Sequence, residues 1–212
     1  MKRRELMQAG LALALVNAAG LPLAQAQQTG AFRNARRDVP RSNPAKIDVV
    51  EFFWYGCPHC YNFEPKVTAW AKALPADVVF TKVPIAFQSQ RVNFFGHQKL
   101  YYTLEAMGKL DVGHTKVFEA MHKDKKQLAN DAQIFDFAQS IGLNREQFAN
   151  TFKSFGVANK CNQATKLFND YGADGVPTLG IDGKFFTSAS IAGSEENALR
   201  IADSLIKRQR QG

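Results

Sequence analysis

The sequence predicts an α/β fold with an inserted helical subdomain, and three features of the 212-residue chain support this prediction. A β-α-β pattern opens the folded part, a long stretch of helical patterns follows, and a β-hairpin with an amphipathic helix closes it. A chain of this length with 45% hydrophobic residues can bury a sizeable core.

The opening β-α-β unit begins with Ile47–Trp54, a β-branched and aromatic run typical of a strand buried on both faces. A helix is predicted from Pro58, because proline suits a first helical turn and apolar residues then recur at helical spacing. Pro65 is expected to kink this helix, because it lacks the amide for one backbone hydrogen bond. Val78–Ile85 is the next strand, and a right-handed crossover makes the two strands parallel.

The region after Ile85 shows helical periodicity until about Thr178, which is far more than the dozen residues that a crossover needs. Gly108 and Gly142 fit helix ends, and Asn144 fits an N-cap. One predicted helix face carries the apolar residues Val157, Cys161, Ala164, Phe168 and Tyr171. We therefore predict an inserted helical subdomain over residues 89–171.

The C-terminal part of the fold is predicted to be a β-hairpin and a helix. Asp182-Gly183 between two short β-rich runs is a primed-turn signature, and Ser194 is a suitable cap for an amphipathic helix through Leu205. Residues 47–88 and 172–206 would together form the α/β domain.

The N-terminus has the pattern of a secretory signal peptide over residues 1–26. Lys2-Arg3-Arg4 precedes an apolar stretch, and Ala24-Gln25-Ala26 supplies a small-x-small cleavage site. The apolar stretch is too short for a membrane span, since about 20 residues are needed. Residues 27–46 then read as a flexible lead-in. We expect an exported, periplasmic protein, and the Arg3-Arg4 pair leaves Sec and twin-arginine export both open.

The net charge of +8 raises the possibility of nucleic-acid binding, but its distribution argues against it. The excess of basic residues lies in the signal, in the lead-in and in a C-terminal basic tail, residues 207–212, whereas the body is close to neutral. A nucleic-acid reader presents a basic face on its folded domain. Solvated tails are the preferred interpretation, and we expect no nucleic-acid partner.

Cys57-Pro58-His59-Cys60 lies where the first strand passes into the first helix. Free amides at the helix N-terminus and His59 can stabilise a thiolate at Cys57, the expected exposed nucleophile. Cys60, one turn deeper, is placed to close a disulfide and release a bound partner. The alternatives are a zinc half-site, a metal-transfer loop and a permanent disulfide. Zinc needs about four ligands, and so small a disulfide ring adds little stability, so redox chemistry is preferred with no cofactor or metal.

The run Val50–Phe63 (VEFFWYGCPHCYNF) resembles the active-site strand and helix of the DsbA family of periplasmic disulfide-forming enzymes. The resemblance covers nearly the whole mature chain. It implies a thioredoxin-like fold and extends to Phe80–Val83 and to Gly175-Val176-Pro177, which resembles the family's cis-proline loop. Val176 and Pro177 would then bind extended client peptides, although trans would otherwise be the default for this bond. Pro65 is typical of thioredoxins generally, and Cys161 departs from two-cysteine members.

Glu51 and Lys82 each stand inside an otherwise apolar strand. Buried charges are costly without partners, so either strand twist brings both to solvent or the two side chains meet. The family resemblance implies that they meet beneath the active site and help Cys60 exchange its proton, which we prefer. Cys161 is predicted to be a buried free thiol, since free cysteine commonly behaves as a small hydrophobe. A regulatory or intermolecular disulfide is the alternative.

The function that follows is a thiol-disulfide oxidase acting through the Cys57–Cys60 pair on exported proteins with reduced cysteines. The resemblance implies reoxidation by a membrane quinone-linked partner of the DsbB type, and we expect a monomer. The alternatives are a periplasmic reductase or isomerase on the same fold and a non-catalytic metal-binding C-x-x-C module. Isomerases of this superfamily usually dimerise through an additional N-terminal domain, for which residues 27–46 are too short.

Overall fold

The computed structural model describes residues 30–89 and 91–211. The predicted signal peptide, residues 1–26, lies outside these residues. Within them, no helix combines the length and the apolar character needed to cross a membrane. The strands are β1 Arg33–Asn34, β2 Ile47–Phe53, β3 Val78–Pro84, β4 Thr178–Ile181 and β5 Phe185–Thr187, and the helices are α1 Pro58–Lys72, α2 Phe94–Ala106, α3 Leu110–His122, α4 Asp131–Ser140, α5 Arg145–Phe152, α6 Phe155–Tyr171, α7 Ala189–Ala192 and α8 Glu195–Gln211.

The sheet is mixed, with the strand order β1-β5-β4-β2-β3. β2 and β3 are parallel, with Ile47 opposite Val78, and α1 forms the crossover between them. β4 pairs antiparallel with β2 on one side and with β5 on the other. The predicted β-α-β unit and hairpin are therefore both present. The turn residues Asp182 and Gly183 have φ values of 54° and 65°, as the primed turn requires.

Two apolar layers cover the two faces of the sheet. One layer joins Val50 and Phe52 to buried residues of α2 to α6, and the other joins Val49 to buried residues of α1 and α8. The predicted insertion, residues 89–171, contains α2 to α6, and its core is continuous with the sheet. The predicted apolar face of α6 is buried at all five positions, which are Val157, Cys161, Ala164, Phe168 and Tyr171.

The segment predicted as a flexible lead-in, residues 27–46, is attached to the domain where the structure describes it. β1 pairs with β5, with Arg33 opposite Phe186. The guanidinium of Arg41 donates to both carboxylate oxygens of Asp182 at 2.5 and 2.8 Å. This attachment depends on backbone pairing and on one distant carboxylate, and neither leaves a periodic pattern in the sequence.

The predicted basic tail, residues 207–212, is instead the last turn of α8 as far as the structure describes it. The helix continues to Gln211, and the Arg210 guanidinium donates to Asp77 at 2.6 and 2.8 Å. Lysine and arginine are good helix formers, and positive charge is favourable at a helix C-terminus. The prediction of a separate tail is therefore wrong for residues 207–211.

Candidate active site

Cys57 is the N-cap of α1. Its Sγ accepts a hydrogen bond from the Cys60 amide at 3.4 Å, and Pro58 occupies the first turn. The Cys57 amide donates to the carbonyl oxygen of Trp54 at 3.1 Å, which closes the turn between β2 and α1. Gly56 is required there, because a Cβ atom would lie 2.2 Å from the Trp54 ring. The local chain therefore aims the Cys57 sulfur at the free amides of a helix N-terminus.

The thiol of Cys57 has the acidity of a reactive cysteine. Its pKa is lowered to about 6, chiefly by the hydrogen bond from the Cys60 side chain, while partial burial opposes this shift. The amides of Cys60 and His59 lower the pKa further, and the charge of the His59 ring adds the smallest contribution. His59 and Pro58 are both exposed. Backbone and neighbouring-thiol contacts thus stabilise this thiolate more than the histidine does.

Cys60 is the shielded member of the pair. Cys60 is fully buried and Cys57 is 8% exposed, so the prediction of an exposed Cys57 is wrong, although Cys57 is the less buried of the two as expected. Burial, and then the hydrogen bond and charge of Cys57, raise the pKa of Cys60 far above the ordinary range for a thiol. The two cysteines are free thiols here, and Cys57 is the more acidic of the two. Cys57 is therefore the one expected to react as a thiolate.

The loop before β4 lies beside Cys57. The Val176-Pro177 peptide bond is cis, as the family resemblance implied. The carbonyl oxygen of Val176 lies 3.6 Å from the Cys57 sulfur. The two segments predicted to bind the client peptide and to react with it are therefore adjacent.

Glu51 and Lys82 meet, and they do so in the interior. Lys82 Nζ donates to Glu51 Oε2 at 2.6 Å, and Glu51 is fully buried with Oε1 lacking a hydrogen-bond partner. Burial raises the pKa of Glu51 to about 7 against the opposing effect of Lys82, and the charge of Glu64 raises it further. The charge of Glu51 in turn raises the pKa of Cys60. A carboxyl group that titrates near neutral pH thus lies close enough to influence the charge of the buried thiol.

Sequence reasoning missed two further members of this cluster, Glu64 and His114. Lys82 Nζ also donates to Glu64 Oε2 at 2.7 Å, and Glu64 Oε1 lies 3.4 Å from Nε2 of His114. Burial acts to raise the pKa of Glu64, but His114 and Lys82 outweigh it and lower that pKa to about 2. Glu64 follows Cys60 by one helical turn, and this spacing could have indicated from the sequence that Glu64 lies near the active-site cysteines. No pattern in the sequence indicates that His114 joins this cluster.

The third cysteine and the histidines do not form a metal site. Cys161 is a free thiol, fully buried, as predicted, and burial raises its pKa to about 12. Across residues 30–89 and 91–211, no group of three or more His, Cys, Asp or Glu side chains is arranged to hold a metal ion.

Comparison with known proteins agrees with the redox-active cysteine pair that the geometry indicates. The model of the family described as "DSBA-like thioredoxin domain" matches residues 48–197. The thiol:disulfide interchange protein DsbA of Pseudomonas aeruginosa is 42% identical over 172 residues, covering 81% of this chain and 80% of that protein. The protein of the same name from Burkholderia cepacia is 38% identical over 203 residues, covering 95% and 93%.

Solved structures extend the comparison to the fold. The crystal structure of Pseudomonas aeruginosa DsbA matches with a TM-score of 0.80 at 41% identity and covers 86% of this chain and 93% of that chain. The oxidoreductase DsbA from Xylella fastidiosa matches with a TM-score of 0.78 at 27% identity, covering 86% and 96%. The family model covers most of the folded chain, the relatives are more than 30% identical along most of their length, and the fold is shared. The chain therefore belongs to the DSBA-like thioredoxin domain family.

Proposed function

We propose that this chain donates the Cys57–Cys60 disulfide to exported proteins that carry reduced cysteines. It is a thiol-disulfide oxidoreductase, as its relatives are named. The placement of the Cys57 sulfur at the N-cap of α1, where it accepts from the Cys60 amide at 3.4 Å, is the observation that carries the oxidase direction, and the pKa of Cys57 is lowered to about 6 in agreement. A stabilised Cys57 thiolate exists only in the reduced protein, so it makes reduction of this protein, and hence oxidation of its client, more favourable.

The exchange proceeds in two displacements. A client thiolate attacks the Cys57 sulfur, the Cys57–Cys60 bond breaks, and the electron pair leaves on Cys60. The second client thiolate then attacks the client sulfur of the mixed disulfide, and Cys57 leaves as a thiolate. The client has lost two electrons and gained a disulfide, and the enzyme has become the dithiol form. Cys57 suits the leaving step because a thiol of low pKa leaves faster.

The buried carboxyl supports the first displacement. Cys60 leaves into a site without solvent contact, where a bare thiolate is costly, so it must gain a proton. Glu51, with a pKa near 7, can supply that proton at neutral pH. Lys82 holds one Glu51 oxygen, and Glu64 holds Lys82, which leaves the other Glu51 oxygen free to act.

The loop at Val176 and Pro177 holds the client. The Val176 carbonyl beside Cys57 is within reach of an extended client strand, whose backbone would pair with it while a client cysteine reaches the Cys57 sulfur. Backbone pairing of this kind is independent of side chains, which suits an enzyme with many clients.

The chain works in the periplasm as a monomer after removal of residues 1–26. Its reduced form is reoxidised by a membrane quinone-linked oxidase of the DsbB type. The signal-like N-terminus and the membership of the family support this location and partner.

A stoichiometric oxidation experiment tests the direction of the reaction. The oxidised protein is mixed with a reduced, unfolded client, and client disulfides and enzyme thiols are counted over time. We expect one client disulfide to appear for each enzyme dithiol formed, with no transfer by Cys57→Ser. An equilibrium with glutathione that leaves the protein mostly oxidised would instead indicate a reductase. A purified protein that carries zinc or copper and transfers no disulfide would indicate the metal-binding alternative.

A further inference from the structure

Three histidines of the inserted helices contact the same two residues, Trp54 and Tyr55, which precede the Gly56-Cys57 step. The Trp54 indole nitrogen donates to Nδ1 of His97 at 3.0 Å. Nδ1 of His114 lies 2.8 Å from the Tyr55 hydroxyl, and Nε2 of His122 lies 2.8 Å from the Tyr55 carbonyl oxygen. The exchange chemistry uses none of these contacts directly.

The partners of His97 fix its proton. Nε2 lies 3.1 and 3.2 Å from the carbonyl oxygens of Gln127 and Leu128, which can only accept, so Nε2 carries the hydrogen. The indole nitrogen of Trp54 can only donate, so Nδ1 carries none. His97 is therefore neutral, and burial lowers its pKa in agreement. The His97 ring thus connects the end of β2, helix α2 and the loop after α3.

His122 holds the other side of the same turn. A carbonyl oxygen accepts, so Nε2 of His122 donates to Tyr55. The His122 ring also stacks on Tyr61 in the first turn of α1, with ring centroids 4.7 Å apart and planes inclined by 8°. The end of α3 therefore contacts the chain both before and after Cys57.

The turn transmits these contacts to the sulfur of Cys57. The Trp54 carbonyl accepts from the Cys57 amide at 3.1 Å, and the Trp54 ring lies against Gly56. A displacement of Trp54 or Tyr55 would therefore move Cys57 relative to the Cys60 amide, which is 3.4 Å from its sulfur. Such amides stabilise a thiolate only at close range.

We propose that His97 and His122 are positioning residues through which the helical insertion holds the Cys57 sulfur against the amides of α1. The insertion then sets how oxidising the disulfide is, in addition to covering one face of the sheet. This inference rests on the proposed role of Cys57 as the attacking thiol.

The test compares replacements that keep the polar contacts with replacements that remove them. Glutamine at His97 can accept from Trp54 and donate to the loop carbonyls, and glutamine at His122 can donate to Tyr55, whereas leucine does neither. The variants are His97→Gln, His97→Leu, His122→Gln and His122→Leu. Phe148→Leu is the control, because it disturbs a buried residue of α5 whose ring packs on Phe135 and Phe152. The readouts are the thiolate absorbance of Cys57 against pH and the redox equilibrium with glutathione.

The two leucine variants are expected to raise the Cys57 pKa by about half a unit or more, which is about threefold in the thiolate equilibrium. Their glutathione equilibria should shift by a similar factor towards a more reducing enzyme, and the glutamine variants and Phe148→Leu should remain near wild type. Wild-type values in the leucine variants, or equal shifts in Phe148→Leu, would overturn the proposal.

A milder variant keeps the proposal testable if a leucine variant does not fold. Trp54→Phe retains a ring but removes the indole donor to His97, and it should shift the Cys57 pKa in the same direction. A Cys57 pKa that stays at the wild-type value in a folded Trp54→Phe protein would contradict the inference. If alkylation of the wild-type protein does not select Cys57, the proposed function, on which this inference rests, is itself refuted.

Discussion

The surroundings of Cys57 and Cys161 show how one residue type acquires two chemistries in the same fold. Cys57 caps the start of α1, where free amides and the Cys60 thiol lower its pKa to about 6. Cys161 lies in the middle of α6 on its buried apolar face, where burial raises its pKa to about 12. Both residues have little exposed surface, at 8% and 0%. Position relative to a helix terminus, more than exposure, therefore separates a reactive thiol from an inert one.

Alkylation of the reduced protein at about pH 6 should show the largest difference between these thiols. Cys57 is then about half ionised, whereas the thiolates of Cys60 and Cys161 are negligible because their pKa values are raised. The lower nucleophilicity of an acidic thiolate reduces this advantage but does not cancel it. We expect Cys57 to be labelled at least about a hundredfold faster, measured by peptide mapping. Comparable labelling of Cys60 or Cys161 would erase the proposed distinction.

Glu51→Gln should slow client oxidation by about tenfold or more, because Cys60 loses its nearby proton source. The slowing should be greatest below about pH 7, where Glu51 is protonated and can donate, and it should fade as Glu51 ionises at higher pH. The exposed Glu146→Gln is the matched control and should behave as wild type. Rates of disulfide transfer between pH 5 and 8 test this, and an unchanged profile in Glu51→Gln would remove Glu51 from the mechanism.

The same substitution has an effect on stability with a defined sign. The pKa of Glu51 is raised from 4.5 to about 7 on folding, so the folded protein binds this proton more tightly than the unfolded chain. Its contribution therefore lowers the free energy of unfolding as pH rises from about 4.5 to above 7. Glu51→Gln should lose that part of the pH dependence, which denaturant titrations of both proteins at pH 4.5 and 8 would detect.

His59→Ala should produce a smaller change at the same site. The His59 ring adds the last and smallest contribution to the low pKa of Cys57, behind the Cys60 thiol and two amides. We expect the Cys57 pKa to rise by less than about one unit, which makes the couple less than about 30 mV more reducing. Thiolate titration and glutathione equilibration should move together. If His59 only caps the helix, stability changes while the pKa and the potential stay at wild-type values.

Local signals predicted most of the fold and the reacting pair. The apolar run of β2, the Asp182-Gly183 turn and the C-x-x-C at a strand-to-helix junction are each encoded in neighbouring residues. The last turn of α8 was missed because its charges were read as a solvated tail, although Arg210 finds Asp77 in the folded chain.

The part of the site that could not be predicted depends on contacts between distant segments. Glu64 and His114 are 50 positions apart, and only the packing of α3 on α1 brings Glu64 Oε1 within 3.4 Å of Nε2 of His114. The contacts of the inserted histidines with Trp54 and Tyr55 likewise have no pattern in the sequence. Periodicity indicates which face of a helix is buried and does not indicate its neighbour.

Cys161→Ala should have the smallest effect on activity and completes the comparison of the two thiols. The Cys161 side chain lies in the apolar layer that joins α6 to the sheet, and its raised pKa keeps it a neutral thiol at neutral pH. Removing the sulfur leaves a small cavity, so the free energy of unfolding should fall by about 1 to 2 kcal/mol. The rate of client oxidation and the glutathione equilibrium should stay within about twofold of wild type, since this thiol exchanges no electrons. Denaturant titration measures the loss of stability, and the rate of client oxidation measures the activity. A folded Cys161→Ala protein that had lost oxidase activity would mean that Cys161 takes part in turnover, and that the position of a thiol in a helix is not enough to identify the reactive one.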